Sequence, residues 1–336
     1  MEYRTLGRSG LRVSPICLGT MTFGDRTDAR TAGRIVGLAR DAGVNFADTA
    51  DIYAYGESER ILGAHIRRDR DQWVLATKYG NPMSKAPHET GLSRKWLARA
   101  IDGSLKRLGT DYVDIFYMHR DDGVTPLEEC LPAIADLIRA GKARYWGFSN
   151  FRPWRIGEMV GLCQRLGLPM PVVGQPYYNA LNRTPEVDYL PACVHFGIGV
   201  VTYSPVARGV LTGKYLPGKP PPKGSRAALK EFRIMQTEYR QGSLAIAQKI
   251  VRHAEKRGMT GGQLAINWVL NNRAVASVIC GPRTVDQWRE NLGALDHKFT
   301  AEDEALVDKL VPAGHPSTHG FTDPGYPVAG RMARVG

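Results

Sequence analysis

One rhythm runs through nearly the whole chain. Short β-branched or apolar runs recur as "SPICLGT", "VNFADTA", "WVLATK", "YVDIFYMH", "ARYWGFSN", "PVVGQPYYN", "GIGVVTYS" and "AVASVICG", and amphipathic stretches lie between them. Leu97, Ile101, Leu105 and Leu108 share one face of "SRKWLARAIDGSLKRLG", and Ile134, Leu137 and Ile138 repeat the pattern in the next stretch. Many of these helical stretches close on a stop signal: "RDAG", "KRLG", "IRAG", "QRLG" and "EKRG". Strands alternating with such helices imply parallel βα units with right-handed crossovers. Eight units in 336 residues suggest a closed (β/α)8 TIM barrel, and an open doubly wound sheet is the other arrangement this alternation allows. Ahead of the first strand, "YRTLGRSGLRV" reads as a β-hairpin turning at Arg8-Ser9-Gly10, placed to plug the bottom of a barrel.

Two segments break the rhythm. Residues 206 to 240, after the seventh strand, include the basic, Pro/Gly-rich "LPGKPPPKGSRAALK" and far exceed an ordinary barrel connection, which marks them as functional or mobile. From Val311 the tail "VPAGHPSTHGFTDPGYPVAGR" lacks periodicity and is either an irregular end or a segment packed back over the barrel. The expected organisation is a barrel domain over residues 1–310 and an irregular tail over 311–336.

Composition narrows the function. The first residues lack an apolar core of the kind that directs export, and no run of about eighteen uncharged apolar residues suggests a membrane span. Five scattered cysteines with no Cys-x-x-Cys pair fit reduced thiols in a cytoplasm and argue against a structural metal. The net charge of +12 is spread along presumed helix faces beside acids, with no aromatic-interleaved basic ribbon, so neither nucleic acid nor a membrane is expected as a partner. A phosphate-bearing small molecule would still profit from that field.

In a barrel, chemistry gathers where strands end. The second strand delivers Asp48, with Tyr53 in the loop behind it; the third delivers Lys78, the fourth His119, the fifth Ser149 and Asn150, the sixth Gln175, the seventh Tyr203 and Ser204. Each alone has a structural explanation, as a helix cap or a solvated strand end. Together, a carboxylate, a phenol, an ammonium and an imidazole on adjacent strands can meet above the barrel axis.

In order and spacing, "FADTADIYAYGESE", "ATK", "DYVDIFYMH", "GFSN", "GQPYYN", "YSPVARGVLTGKY" and "GPRTVDQWREN" resemble the motifs of the aldo-keto reductases, in the branch that includes the potassium-channel β subunits. The resemblance runs from Tyr3 to Leu310. It implies NADPH-dependent reduction of an aldehyde or ketone, with Tyr53 as general acid, Lys78 as its tuner, Asp48 holding Lys78 charged, and His119 orienting the substrate oxygen. The chemistry agrees: a free phenol is a poor acid at neutral pH, and an adjacent ammonium is expected to lower its pKa. Tyr55 is the alternative acid.

For the cofactor the resemblance implies a cradle of Thr20, Met21, Asp48, Ser149, Asn150 and Gln175, with Tyr203 laid against the nicotinamide. Ser204, Pro205, Val206, Ala207, Arg208 and Gly209 open the long loop across the pyrophosphate, with Lys214 and Arg226 as its cations. After the eighth strand, Gly281, Arg283, Gln287, Glu290 and Asn291 would take the adenosine end. A helix beginning near Thr284 favours a phosphate, and the Arg283 fork argues for NADPH over NADH. "GIGVV" precedes a strand instead of following one, and in "GVLTGKY" Gly209 and Gly213 are one residue too close for a P-loop, so both are decoys.

The substrate is expected to be a small-molecule carbonyl compound, with Met21, Phe23, Tyr55, Tyr79 and Arg120 as residues that would select it. Two other classes stay open: a nicotinamide-binding regulatory or redox-sensing partner protein, and a sugar-phosphate enzyme on a similar barrel. The channel subunits are expected to carry an amide where this chain has His119, which favours the enzyme.

Overall fold

A computed structural model describes residues 1–320 and Asp323. Strands β1 (Arg4–Thr5) and β2 (Arg12–Val13) pair antiparallel, and eight further strands follow: β3 (Ile16–Gly19), β4 (Phe46–Asp48), β5 (Val74–Tyr79), β6 (Val113–Met118), β7 (Ala143–Ser149), β8 (Val173–Gln175), β9 (Gly199–Tyr203) and β10 (Val275–Cys280). These eight pair in parallel, in chain order, and β10 closes on β3, so the closed barrel and its hairpin stand as expected and the open sheet does not.

Local sequence explains the helices. Ser93 caps Arg94–Leu108 by accepting from the Trp96 backbone N–H at 3.3 Å, and the helix ends at Gly109. Its Leu97, Ile101 and Leu108 are buried against the barrel wall. Thr260 and Gln263 form a reciprocal capping box at the start of Gly261–Leu270, satisfying two otherwise orphaned donors.

Strand parity divides the core into two. Leu6, Val13, Cys17, Phe46, Val74, Ala76, Ile115, Tyr117, Val173 and Val201 form the barrel interior. Alternate residues, such as Leu18, Ala47, Leu75, Phe116, Phe148 and Val200, pack outward against the helices. Continuing the inward set by two residues per step reaches Asp48 on β4, Lys78 on β5, His119 after β6, Gln175 on β8 and Tyr203 on β9.

The hairpin stoppers the N-terminal end of the strands. Arg8 donates its backbone N–H to Gly197 O at 2.9 Å, while Leu6 and Val13 enter the interior from below. Residues 206 to 240 are only partly irregular, containing a tight 3-10 segment (Ala207–Thr212) and a short helix (Phe232–Gln236). The described part of the tail packs back: Arg183 N–H donates to His315 O at 3.0 Å and Ser317 N–H to Leu181 O at 2.8 Å. The rest of the expected tail, residues 321–322 and 324–336, lies outside the described residues.

Gly7 has a left-handed φ of 57°, and a Cβ there would stand 2.4 Å from Gly199 N. Gly7→Ala should therefore lower stability by about 2 kcal/mol or more, whereas Gly10→Ala, with nothing within 4 Å, should change it little. Thermal unfolding of the two variants checks this.

Candidate active site

The C-terminal rim carries a cleft of about 580 Å³ lined by Asp48, Tyr53, His119, Asn150, Gln175 and Tyr203 at one end and by Lys214, Arg226, Arg283, Gln287, Glu290 and Asn291 at the other. Lys78 lies beneath the first group with no exposed surface. Its Nζ donates to Asp48 Oδ1, to Thr49 O at 2.8 Å and to the Tyr53 hydroxyl at 3.4 Å. Gln175 Nε2 donates to the other Asp48 oxygen at 2.9 Å. The buried pair is thus hydrogen-bonded on both sides, which a buried charge pair requires.

Tyr53 reaches Lys78 because the loop after β4 makes an unusual turn. Ala54 and Tyr55 adopt left-handed φ values of 46° and 51° before Gly56 starts the helix Glu57–Ile66. Tyr55 is thrown outward, 72% exposed, and does not line the cleft, so it cannot compete with Tyr53 for the Lys78 contact. The His119 ring meets Tyr53 edge-on, with centroids 5.8 Å apart.

Electrostatics fix the protonation states. Burial alone would push the Lys78 ammonium down, but the Asp48 carboxylate and the Tyr53 phenol outweigh it and hold it above its ordinary value. Burial drives the Tyr53 phenol above its ordinary value, against the pull of Lys78. The net direction is the opposite of that expected from the ammonium alone, because desolvating a phenolate costs more than one shared cation returns. Burial, then Lys78, Arg233 and Arg120, pushes His119 well below its usual range, so the imidazole is neutral. The site therefore presents a protonated phenol beside a neutral imidazole, an arrangement able to donate a proton to an oxygen placed between them.

Next along the cleft, Tyr203 donates to Asn150 Oδ1 at 2.8 Å, and Asn150 Nδ2 donates to His119 O at 2.9 Å and to Ser149 Oγ at 3.0 Å. Ser149 in turn donates to Gln175 O at 2.8 Å. This chain fixes the Tyr203 ring as one wall. Thr20, Met21, Ser204, Pro205, Val206, Arg208, Gly209 and Gly281 also line the cleft. At the far end Lys214, Arg226 and Arg283 crowd together. Burial, then Arg283 and Arg226, pushes the Lys214 ammonium down, against the pull of Glu290 and Glu231. Across the cleft Arg26, from the loop after β3, and Arg226 both pair with Glu231.

Strand parity corrects several expectations. Phe23 and Tyr79 do not line the cleft: both belong to the outer core, fully buried, with Tyr79 stacked on Phe116 at 4.9 Å. Tyr79 follows inward-facing Lys78 and so must point out. Arg120, following His119, is likewise exposed away from the lining. Ala207 is buried with a φ of 50°, shaping the turn with its backbone while its methyl group sits in the core. Arg208 lines the cleft, yet both Glu238 oxygens hold its Nη1 at 2.8 Å and Tyr177 stacks beneath it at 4.6 Å. The sequence reading passed over Phe232 and Arg233, which also line the cleft. Their signal was present in "EFRIMQ", an aromatic and a cation inside the long segment marked as functional or mobile.

The fold and this rim coincide with a match to the aldo/keto reductase family over residues 15–312. The chain belongs to that family. It is 41% identical over 310 residues to a probable voltage-gated potassium channel subunit beta of Arabidopsis thaliana, covering 88% of this chain and 92% of the relative. It is 37% identical over 324 residues to the uncharacterized oxidoreductase YrpG of Bacillus subtilis (93% and 96% covered). A third relative, an L-glyceraldehyde 3-phosphate reductase of Escherichia coli, is 36% identical over 329 residues (94% and 93% covered). Membership brings carbonyl reduction as the general chemistry of this aldo/keto reductase, with a nicotinamide nucleotide as the family's general cofactor. Among the described residues no helix is long and apolar enough to cross a membrane.

Behind the site, the fully buried Asp51 carboxyl is pushed up to about 8, first by burial and then by the neighbouring Glu59. In the unfolded chain it ionises near its ordinary 3.8, so between these values the folded state holds the extra proton. Its contribution is full below pH 3.8 and is lost as pH rises towards 8, a change on the order of a few kcal/mol. Asp51→Asn should flatten that decline and raise stability at pH 8, as denaturant unfolding across this range will show.

Proposed function

We propose that this barrel, residues 1–310, reduces an aldehyde or ketone with NADPH and that Tyr53 is the general acid. The observation carrying this reading is the protonated phenol of Tyr53, 3.4 Å from the buried Lys78 ammonium and edge-on to neutral His119. The bound nucleotide supplies the hydride. As negative charge grows on the substrate oxygen, the phenol gives up its proton there and Lys78 stabilises the phenolate left behind. Asp48 keeps Lys78 charged and aimed at the hydroxyl, and His119 fixes the oxygen with a hydrogen bond. Tyr203, braced by Asn150 and with Ser149 and Gln175 behind it, forms the wall for the nicotinamide.

Lys214, Arg226 and Arg283 support the nucleotide half of the proposal. Three cations share one end of the cleft; Glu231 pairs with Arg226, while Lys214 is pushed down by burial, Arg283 and Arg226, and the phosphates of a dinucleotide would relieve that repulsion. Arg283 stands at the N-terminal end of Val285–Leu292, where the helix's unpaired N–H groups add to the attraction. The ribose phosphate that distinguishes NADPH from NADH suits this place. Gln287, Glu290 and Asn291 line the same end.

The name of the Arabidopsis relative favours a second reading, a nicotinamide-binding partner of another protein with little turnover. The His119 imidazole favours the enzyme, since it supplies the hydrogen bond that the developing oxyanion needs.

The test is NADPH oxidation with a panel of aldehydes and ketones. Tyr53→Phe should lower kcat by about a hundred- to ten-thousand-fold while nucleotide binding, followed by fluorescence, persists. Arg283→Met should narrow the preference for NADPH over NADH. Neutral His119 should leave no limb near pH 6.5, and reduction should fall only as pH rises through the raised Tyr53 value, above about 10. Tight NADPH binding with no turnover across the panel would transfer the function to the partner reading.

A further inference from the structure

Cationic side chains stand at both ends of the cleft, and the proposed nucleotide site uses those of one end. At the reaction end stands Arg233, on the short helix Phe232–Gln236, lining the same cleft as Tyr53 and His119. Its Nη2 donates to the Tyr203 hydroxyl at 3.3 Å and to Asp323 Oδ2 at 2.6 Å, and its guanidinium carbon lies 5.8 Å from the Tyr203 ring centre. These contacts hold a planar cation over the wall beside the reacting groups. Its charge reaches both His119 and Tyr53.

Arg208, next to it, is not equivalent. Its side chain is buried and committed to Glu238, whereas the Arg233 side chain is 44% exposed. Asp323 meets Arg233 through a single oxygen, and that oxygen also lies 3.3 Å from Arg208 Nη2. Asp323 thus engages the Arg233 fork through Nη2, while the side chain as a whole stays partly exposed and lines the cleft. Its planar fork suits a further carboxylate, which it can bind with two parallel hydrogen bonds. Phe232 and Met21, both exposed, line the cleft as well and offer apolar surface for a ring or alkyl chain.

We propose that Arg233 selects carbonyl substrates that also carry a carboxylate, binding that group while the carbonyl oxygen lies between Tyr53 and His119. The inference rests on the carbonyl-reducing reading above and adds a substrate class to it.

The test compares para-carboxybenzaldehyde with its methyl ester, using NADPH and the wild type, Arg233→Met and Asp323→Asn proteins. Wild type should prefer the acid. Arg233→Met should lower the acid-to-ester ratio of kcat/KM by about tenfold or more, chiefly through KM. Asp323→Asn removes the competing carboxylate and should raise the ratio. If Arg233 only anchors the chain around Asp323, both variants will depress both aldehydes alike, and an unmoved ratio overturns the proposal. Calorimetric binding of para-(hydroxymethyl)benzoate and its methyl ester to the same proteins separates this inference from the reading beneath it. Should neither aldehyde be reduced while the benzoate binds wild type about tenfold more tightly than Arg233→Met, carbonyl reduction fails and the anion site stands. Equal benzoate binding by all three proteins removes the anion site whatever the turnover.

Discussion

A lysine and an aspartate sealed from water are an expensive thing to build, and the rim of this barrel is arranged around such a pair. Lys78 and Asp48 come from neighbouring strands, and each is tied by further hydrogen bonds, Lys78 to Thr49 O and Asp48 to Gln175. Removing either partner would strand the other in a low-dielectric interior. The pair thereby fixes the register of β4 against β5 at the place where the chemistry must occur, and it anchors the loop that brings Tyr53 over Lys78.

The barrel was legible because its signal is repeated. Eight apolar runs separated by amphipathic stretches leave few alternatives, and seven of them contain the strand that the structure shows, while β5 runs one residue past "WVLATK" to Tyr79. The convergence of Asp48, Tyr53, Lys78 and His119 was legible because their motifs fall at strand ends or in the loop just behind one. Side-chain direction was less so. Tyr79 and Arg120 are neighbours in sequence of Lys78 and His119, and adjacency suggested a shared pocket, yet a period of two sends such neighbours to opposite faces. That rule was available in the sequence. Arg233 left a trace in "EFRIMQ", but its pairing with Asp323 did not, since that depends on how the long segment and the tail meet at the rim.

The balance of burial and charge at Tyr53 shows why a list of neighbours is insufficient. An ammonium nearby suggests a more acidic phenol, but the site that brings it close also strips water from the phenolate. The result is an acid that stays protonated at rest. His119 is neutral for a related reason, surrounded by cations and removed from water. Both groups are thus held ready by one property of the barrel mouth, its low polarisability, and the left-handed turn at Ala54 and Tyr55 is the backbone distortion that puts Tyr53 there.

The N-terminal hairpin has a consequence for traffic. With Leu6 and Val13 packed into the floor of the barrel, the cleft lies at the opposite rim among the described residues. Arrival and departure share that rim, so a molecule seated deep in the cleft can leave only after whatever covers it has gone. On the proposed reading, two short strands far from the reacting groups thus decide from which side nucleotide and substrate would both enter.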